Sequence, residues 1–532
     1  MLDDAVIPGP PPVEEATQVL PCGTRLFARV WRPAEPGPHP VLLMRQPYGA
    51  EIASTVTLAH PSWYARQGYI VAVQDVRGTG ASEGAWDTLA HEAEDGAAAC
   101  DWARALPGGN GKLGLYGFSY HGMAQMLALS GGGRADAIAP VMAPWETWGD
   151  MASEGGAFRL AWNVSWAAQM AALQARKSGD GAAYADLRAA AMAPPVGGPA
   201  PARPDFAERY AAYGHLADWV DHIGDLAYWA ARSPARLANA APEALTTPAL
   251  FVGGWFDPFL DGAFAAFDAF RAAGAPARLV VGPWSHLVWG GRSVDRAIAA
   301  HFDLHLKGMG EAGAAIELYD IGRQEWRSFE AAPSAEESFA LAGDGLAAAA
   351  SAGCLARGAA PATLPATLSE TFVHDPWRPV PAHGLHLAAP FGASDRSEID
   401  ARADVAVFTS EPLTAPLRLA GPAALAAPVA ASAPSFDLHL VLSRVAPDGR
   451  ATALTSGYHR RDAPADRLTL RPVCATLEPG DRLRLSVSGA AWPAFAVNPG
   501  TGASPETTPA HEHRPITLTL GGPAALTLTV AP

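Results

Sequence analysis

Three stretches constrain this chain more than anything else in it. KLGLYGFSY, ALFVGGWFD and RLVVGPWSH each run an apolar segment into a Gly-containing turn and deliver one polar residue there, Ser119, Asp257 and His286. Short continuous apolar runs bounded by Gly and Pro are the pattern of strands buried on both faces, as in a parallel sheet. PVLLMRQPYG and YIVAVQDVRGTG have the same form. Helix-forming segments alternate with these runs, which is the mark of βαβ units. One predicted helix covers Glu92 to Leu106, with Ala98, Asp101 and Trp102 about a turn apart; another follows Ser119 and ends at Gly131.

At 532 residues the chain exceeds the roughly 250 to 300 at which single hydrophobic cores stop growing, so two or three domains are expected. From Trp145 to Ala241 the strand pattern gives way to Trp-rich helical segments, and it returns with TPALFVGGWF. The expected division is an α/β domain over 1–144 and 242–333, a helical cap inserted over 145–241, and a β domain over 334–532. Leu341 to Phe372, rich in small residues, reads as a linker or irregular crossover. Beyond it, DVAVFTS, FDLHLVLSRV, RLTLRPV, DRLRLSVSG and ITLTLGG are short β runs, and VAPDGRAT places an Asp-Gly turn between two of them. Strands of this length and spacing predict a β-sandwich or jelly roll.

Composition removes several function classes. The formal net charge of -15, with no Lys/Arg cluster, argues against nucleic acid as a partner. The first twenty residues are acidic and Pro-rich, unlike a signal peptide, and no run of about 18 apolar residues is present, so a soluble cytoplasmic protein is the expectation. Cys22, Cys100, Cys354 and Cys474 form no metal pattern and read as buried thiols. VRGTGASEG lacks the later glycine of a dinucleotide loop, and no other cofactor motif occurs, so cofactor-free chemistry is expected.

Ser119 lies in GLYGFSYHGM, where Gly117 precedes it by two and Gly122 follows by three. A nucleophile elbow is usually framed G-x-S-x-G, so one glycine stands a position late and His121 occupies its place. The order Ser, Asp, His, each at a strand end, is the order in which α/β-hydrolases present their triad. His286 would then act as base, Asp257 would orient it, and His121, on the flank of the following helix, is assigned to packing.

These motifs resemble one family: the cocaine esterases and X-prolyl dipeptidyl peptidases, with the related α-amino acid ester hydrolases and cephalosporin acylases. Its G-x-S-Y-x-G is similar to Gly117–Gly122, its G-W-[YF]-D to Gly254–Asp257, and its G-P-W-x-H to Gly282–His286. Looser matches run from CGTRLFARVWRP at Cys22, through HDPWRPVP at His374, to NPGTG at Asn498. The resemblance implies an α/β-hydrolase fold with an inserted helical cap and a C-terminal jelly roll. It also implies an oxyanion hole made of the Tyr48 hydroxyl and the Tyr120 main-chain N–H; packing under the cap is the alternative role for Tyr48.

The cap stretch GGAFRLAWNVSW ends at Trp166, which the resemblance makes an acyl-pocket residue, together with Phe259. Trp145, Trp148 and Trp162 read first as cap core, with Trp148 kept as a pocket candidate. Glu146, Asp150 and Glu154 are the acidic residues that could hold a substrate ammonium, although a cap has acidic surface residues in any case. The leading expectation is a serine hydrolase acting on small-molecule carboxylic esters. The alternatives are an amide hydrolase of the dipeptidyl peptidase or acylase type, and a saccharide-binding protein with a decayed hydrolase domain. Assembly into a homo-oligomer is left open.

Overall fold

The computed structural model describes residues 13–51, 58–196, 210–289, 293–349, 352–358, 364–365, 367–462 and 467–532. Its first sheet has ten strands: β1 Val13–Val19, β2 Arg25–Trp31, β3 His39–Gln46, β4 Ile70–Asp75, β5 Gly109–Phe118, β6 Ala137–Val141, β9 Ala249–Phe256, β10 Ala277–Ser285, β11 Ile316–Asp320 and β12 Glu325–Phe329. The order is β1-β2-β4-β3-β5-β6-β9-β10-β11-β12. From β4 to β11 every neighbouring pair is parallel. The carboxyl ends of β5, β9 and β10 therefore share one edge.

The central strands carry continuous apolar runs because both faces are covered. Val41, Leu43, Ile70, Ala72, Leu113 and Leu115 pack on one face with helices α2 (Glu92–Arg104) and α3 (Tyr120–Ser130). Leu42, Met44, Val71, Val73 and Tyr116 pack on the other with α1 (Pro61–Arg66) and the Ser293–Lys307 helix. The period of two sends alternate residues to opposite cores. In α2 the face expected at Ala98, Asp101 and Trp102 is not the buried one; Ala93, Gly96, Ala99, Cys100 and Ala103 turn inward, and Asp101 is exposed. A Cβ on Gly96 would lie 2.6 Å from that of Ala128, so close approach to α3, and not the largest side chain, selects the face.

Between β6 and β9 lie a π-helical turn at Thr147–Ala152, a two-residue hairpin of β7 (Ser153–Glu154) and β8 (Ala157–Phe158), and helices α4 (Leu160–Ser178) and α5 (Gly181–Met192). Shorter helices follow at Leu216–Asp221, Leu226–Arg232 and Leu237–Ala240. The hairpin interrupts a stretch expected to be helical. Its Gly155, with φ of +54°, faces the carbonyl of Tyr458, which a Cβ would approach to 1.9 Å, and its own carbonyl accepts the Arg460 N–H at 2.9 Å. A contact 300 residues away in sequence thus shapes it.

The C-terminal part holds β13 Ala335–Ala342, β14 Gly353–Arg357, β15 Leu368–His374, β16 Val405–Ser410, β17 Leu417–Ala426, β18 Val429–Ala431, β19 Phe436–Val445, β20 Ala451–Arg461, β21 Leu468–Leu477, β22 Arg482–Ser488, β23 Ile516–Gly522 and β24 Ala525–Val530. Nine strands form one sheet and β15-β23-β18 another, and one apolar core joins them as a sandwich. The Asp448-Gly449 turn connects β19 to β20, with Gly449 at φ +89°. The expected linker at 341–372 is instead partly sheet. It contains β14, whose Gly353 lies so close to the Val407 carbonyl that a Cβ would be 2.0 Å away. Residues 350–351, 359–363 and 366 of that stretch lie outside the described residues. All four cysteines are free thiols, but only Cys100 and Cys474 are buried; Cys22 is exposed and Cys354 half-buried. Among the described residues no helix is long and apolar enough to cross a membrane.

Candidate active site

Ser119 connects β5 to α3 with φ +61°, a left-handed value that costs a residue with a Cβ about 1 to 3 kcal/mol. The turn is held by its neighbours. Ser119 N–H donates to the Val141 carbonyl at 2.8 Å, and its own carbonyl accepts the N–H groups of Gly122 and Met123 at 2.8 and 3.1 Å. The late glycine has a steric reason: a Cβ on Gly122 would stand 2.5 Å from that of Ala143, just beyond β6. Gly117, at φ +139°, lies under His121, whose Cβ would be 2.4 Å from an added methyl. His121 is 1% exposed, and burial pushes its imidazole down to about 3, so it is a neutral packing residue.

His286 and Asp257 come to this serine from the ends of β10 and β9. His286 Nε2 is 3.0 Å from Ser119 Oγ, and its Nδ1 is 3.0 Å from Asp257 Oδ1. Asp257 is fully buried, and its Oδ1 also accepts the Phe259 N–H at 3.1 Å. A bulge between Gly282 and Ser285 turns β10 out of register with β9; Trp289 Nε1 donates to the His286 carbonyl at 3.2 Å and holds the loop.

The two expected oxyanion donors are anchored differently. The Tyr48 hydroxyl accepts the Trp166 Nε1–H at 3.2 Å, and burial pushes its pKa up to about 12, so it keeps a proton to donate. The Tyr120 hydroxyl points the other way and donates to Glu92 Oε1 at 2.9 Å, where Glu92 also pairs with Arg45. That anchor leaves the Tyr120 main-chain N–H at the first residue of α3, where no intrahelical acceptor exists.

Aromatic rings surround His286. Phe259 and Trp162 meet it edge-on, each 5.0 Å between centroids, and Phe118 lies at 4.8 Å. Trp162 was expected in the cap core; it is four residues from Trp166 on α4, so both occupy one helical face, and that spacing was readable. Trp148 keeps the cap-core place read for it first and not the pocket place for which it is also a candidate. It packs on Trp229, which reaches Trp166 only through Trp219, so the structure does not bring Trp148 to the triad. Its place in the π-helical turn directs it into the cap. Trp86 and His215, which sequence reading did not single out, flank Trp166 with ring contacts of 6.4 and 4.7 Å. They belong to distant segments, and no local pattern marks them.

Two of the three acidic candidates, Glu154 and Asp150, are already engaged by neighbouring groups. Glu154 is 6% exposed; burial alone would raise its carboxyl, but His386 at 2.8 Å and Arg159 at 3.1 Å hold it well below the usual carboxylate range. Asp150 accepts the N–H groups of Trp145 and Glu146 at 3.0 and 2.7 Å. The packing around it raises it to about 6, and the charge of Asp261 adds to the rise. Glu146 is exposed.

A serine, a histidine and a buried aspartate in relay at the carboxyl edge of a mostly parallel sheet define the protein as an α/β-hydrolase with a C-terminal β-sandwich. Comparison with known proteins makes the family specific. Residues 23–288 match the X-Pro dipeptidyl-peptidase (S15 family) model, and residues 309–526 match the X-Pro dipeptidyl-peptidase C-terminal non-catalytic domain. The cocaine esterase of a Rhodococcus species is 31% identical over 90% of this chain and 91% of its own. The chain belongs to this family of serine hydrolases and is a hydrolase. Two solved structures share the fold: an aminopeptidase from a Thaumarchaeota archaeon (TM-score 0.79, 21% identity, 99% of this chain and 98% of that one) and an α-amino acid ester hydrolase (TM-score 0.78, 20% identity, 100% of both).

Proposed function

We propose that this hydrolase cleaves small carboxylic esters through an acyl-enzyme on Ser119, with Asp257 and His286 completing the triad and an uncharged, aromatic-lined acyl pocket. The observation that carries the reading is the relay of 3.0 Å contacts from Ser119 through His286 to Asp257. His286 takes the Ser119 proton as Oγ attacks the ester carbonyl, and Asp257 steadies the imidazolium. The Tyr48 hydroxyl and the Tyr120 N–H receive the oxyanion, donors of a kind worth roughly 2.7 to 4 kcal/mol apiece. The carbonyl re-forms, His286 passes its proton to the leaving alcohol, and water activated by His286 then releases the acid. Side chains and water supply every step. Phe118, Trp162, Trp166 and Phe259 favour an apolar acyl group, and the partners already on Glu154 leave it no role as an ammonium clamp.

A second reading, hydrolysis of aminoacyl esters or amides, is favoured by one observation. The charge of Asp261 adds to the rise at Asp150, and Asp261, although paired with Arg471 at 3.2 Å, keeps a side chain that is 42% exposed. The experiment is a panel of p-nitrophenyl benzoate, butyrate and aminoacyl esters beside Xaa-Pro nitroanilides, with fluorophosphonate labelling of Ser119. Benzoate turnover with labelling at Ser119 is the expected result. Preference for aminoacyl substrates, lost in Asp150→Asn, selects the second reading, and absence of both turnover and labelling sinks the first.

A further inference from the structure

We propose that Arg471, on strand β21 of the C-terminal sandwich, is a positioning residue for Asp257, so that the non-catalytic domain helps to aim the triad. Arg471 is 5% exposed and 214 residues from Asp257 in sequence. Its Nη2 donates to the Asp257 main-chain carbonyl, and its Nε donates to Asp261 Oδ2 at 3.2 Å. The guanidinium thus grips the chain at two points, the Asp257 turn and the first turn of the Leu260–Ala272 helix.

Asp257 needs such a brace for a geometric reason. Both hydrogen bonds to its carboxylate, from Phe259 N–H and His286 Nδ1, fall on Oδ1, while Oδ2 is buried with no partner among the described residues. A carboxylate held through one oxygen takes its direction from its main chain. There the next residue is Pro258, which has no N–H, and the Asp257 carbonyl accepts only a long 3.3 Å bond from Leu260. Arg471 supplies a charge-assisted bond to that carbonyl. Its own backbone is fixed in turn, the Arg471 carbonyl accepting Thr455 Oγ1–H at 2.9 Å.

Simple adhesion between domains is a different role, and the same seam provides the control. His386, also from the C-terminal part, contacts Glu154 of the cap at 2.8 Å and makes no hydrogen bond to Asp257. Arg471→Met, Arg471→Lys and His386→Gln are compared in the full chain by kcat and KM on p-nitrophenyl benzoate, by the rate of fluorophosphonate labelling, and by melting temperature. Misplacement of a reacting group by about 1 Å costs on the order of 100-fold, so Arg471→Met is expected to lower kcat and labelling rate together by about 10- to 100-fold, with KM within about twofold. Arg471→Lys, able to keep one bond, recovers part of that loss; His386→Gln lowers the melting temperature and leaves kcat within about twofold.

The inference is overturned by a folded Arg471→Met with wild-type kcat, or by kcat losses that follow melting temperature equally in Arg471→Met and His386→Gln. Should Arg471→Met not fold, Arg471→Lys decides: a kcat loss at unchanged melting temperature supports the brace, and an unchanged kcat overturns it. The inference rests on the acyl-enzyme reading, and the two fail separately. A wild type that neither labels at Ser119 nor turns over ester removes the reading; a labelled wild type with an unimpaired Arg471→Met removes only the brace.

Discussion

The serine turn and the aspartate turn are both loops at strand ends of one sheet, yet they are held in opposite ways. Ser119 is bound to Val141, Gly122 and Met123, all within 25 residues of it. Asp257 is bound locally as well, but its main-chain carbonyl and the next helical turn are tied to Arg471, in another domain. The elbow is a local device, written in two glycines. The acid's alignment is a product of domain docking, and nothing near Asp257 in sequence announces it.

The largest expected effects lie at the local device. Ser119→Ala is expected to lower kcat by at least about 10⁴-fold, as loss of a triad member does, with substrate binding retained. Gly122→Val would force a side chain into the space 2.5 Å from the Ala143 Cβ; fluorophosphonate labelling should fall sharply, with about 1 to 3 kcal/mol of stability lost to overpacking. Labelling at the wild-type rate would show that the late glycine does not set the elbow.

The tyrosines sharpen the contrast within the elbow region. Tyr48→Phe removes a proposed oxyanion donor and should cost about 100- to 1,000-fold in kcat. Tyr120→Phe keeps the main-chain N–H and should cost less than about threefold. Its penalty is instead structural: the Glu92 carboxylate loses a buried donor, worth about 1 to 3 kcal/mol in a urea melt. Equal losses of kcat in the two variants would contradict the division of roles.

The last contrast is read on stability, as a pH dependence. Burial pushes His121, His215, His301 and His439 down to about 3. Their folded pKa values lie below the unfolded value of about 6.5, so between about pH 3 and 6.5 the unfolded chain binds more protons. Stability should therefore be full above about 6.5 and fall with acidification, each histidine contributing up to about 1.4 kcal/mol per pH unit. Replacing His121, beside the elbow, by Gln should flatten that slope in urea melts at stepped pH.

Patterns that repeat over short spans were legible from the residues alone. Apolar runs gave the parallel strands, and their terminal Ser119, Asp257 and His286 gave the relay; Tyr48 and the Tyr120 N–H enter as oxyanion donors through the resemblance alone. Errors arose where a neighbour distant in sequence decides the outcome. Gly96 against Ala128 rotated the face of α2, the Tyr458 carbonyl made a hairpin of 153–158, and Val407 drew Gly353 into a sheet. Trp162, read as cap core, lies against His286, while Trp148 keeps the cap place read for it first and not its pocket alternative, because an aromatic side chain is equally apolar in a core or at a pocket wall.

Sequence by itself determined which residues stand at the strand ends and in what order, since strand periodicity and glycine sterics act over a few residues. Tertiary structure alone decided that Phe118 joins Phe259 at His286, that Glu154 is already paired with Arg159 and His386, and that Arg471 grips the Asp257 turn. Those facts depend on close packing and buried charge pairing between segments up to 232 residues apart, which no local pattern encodes.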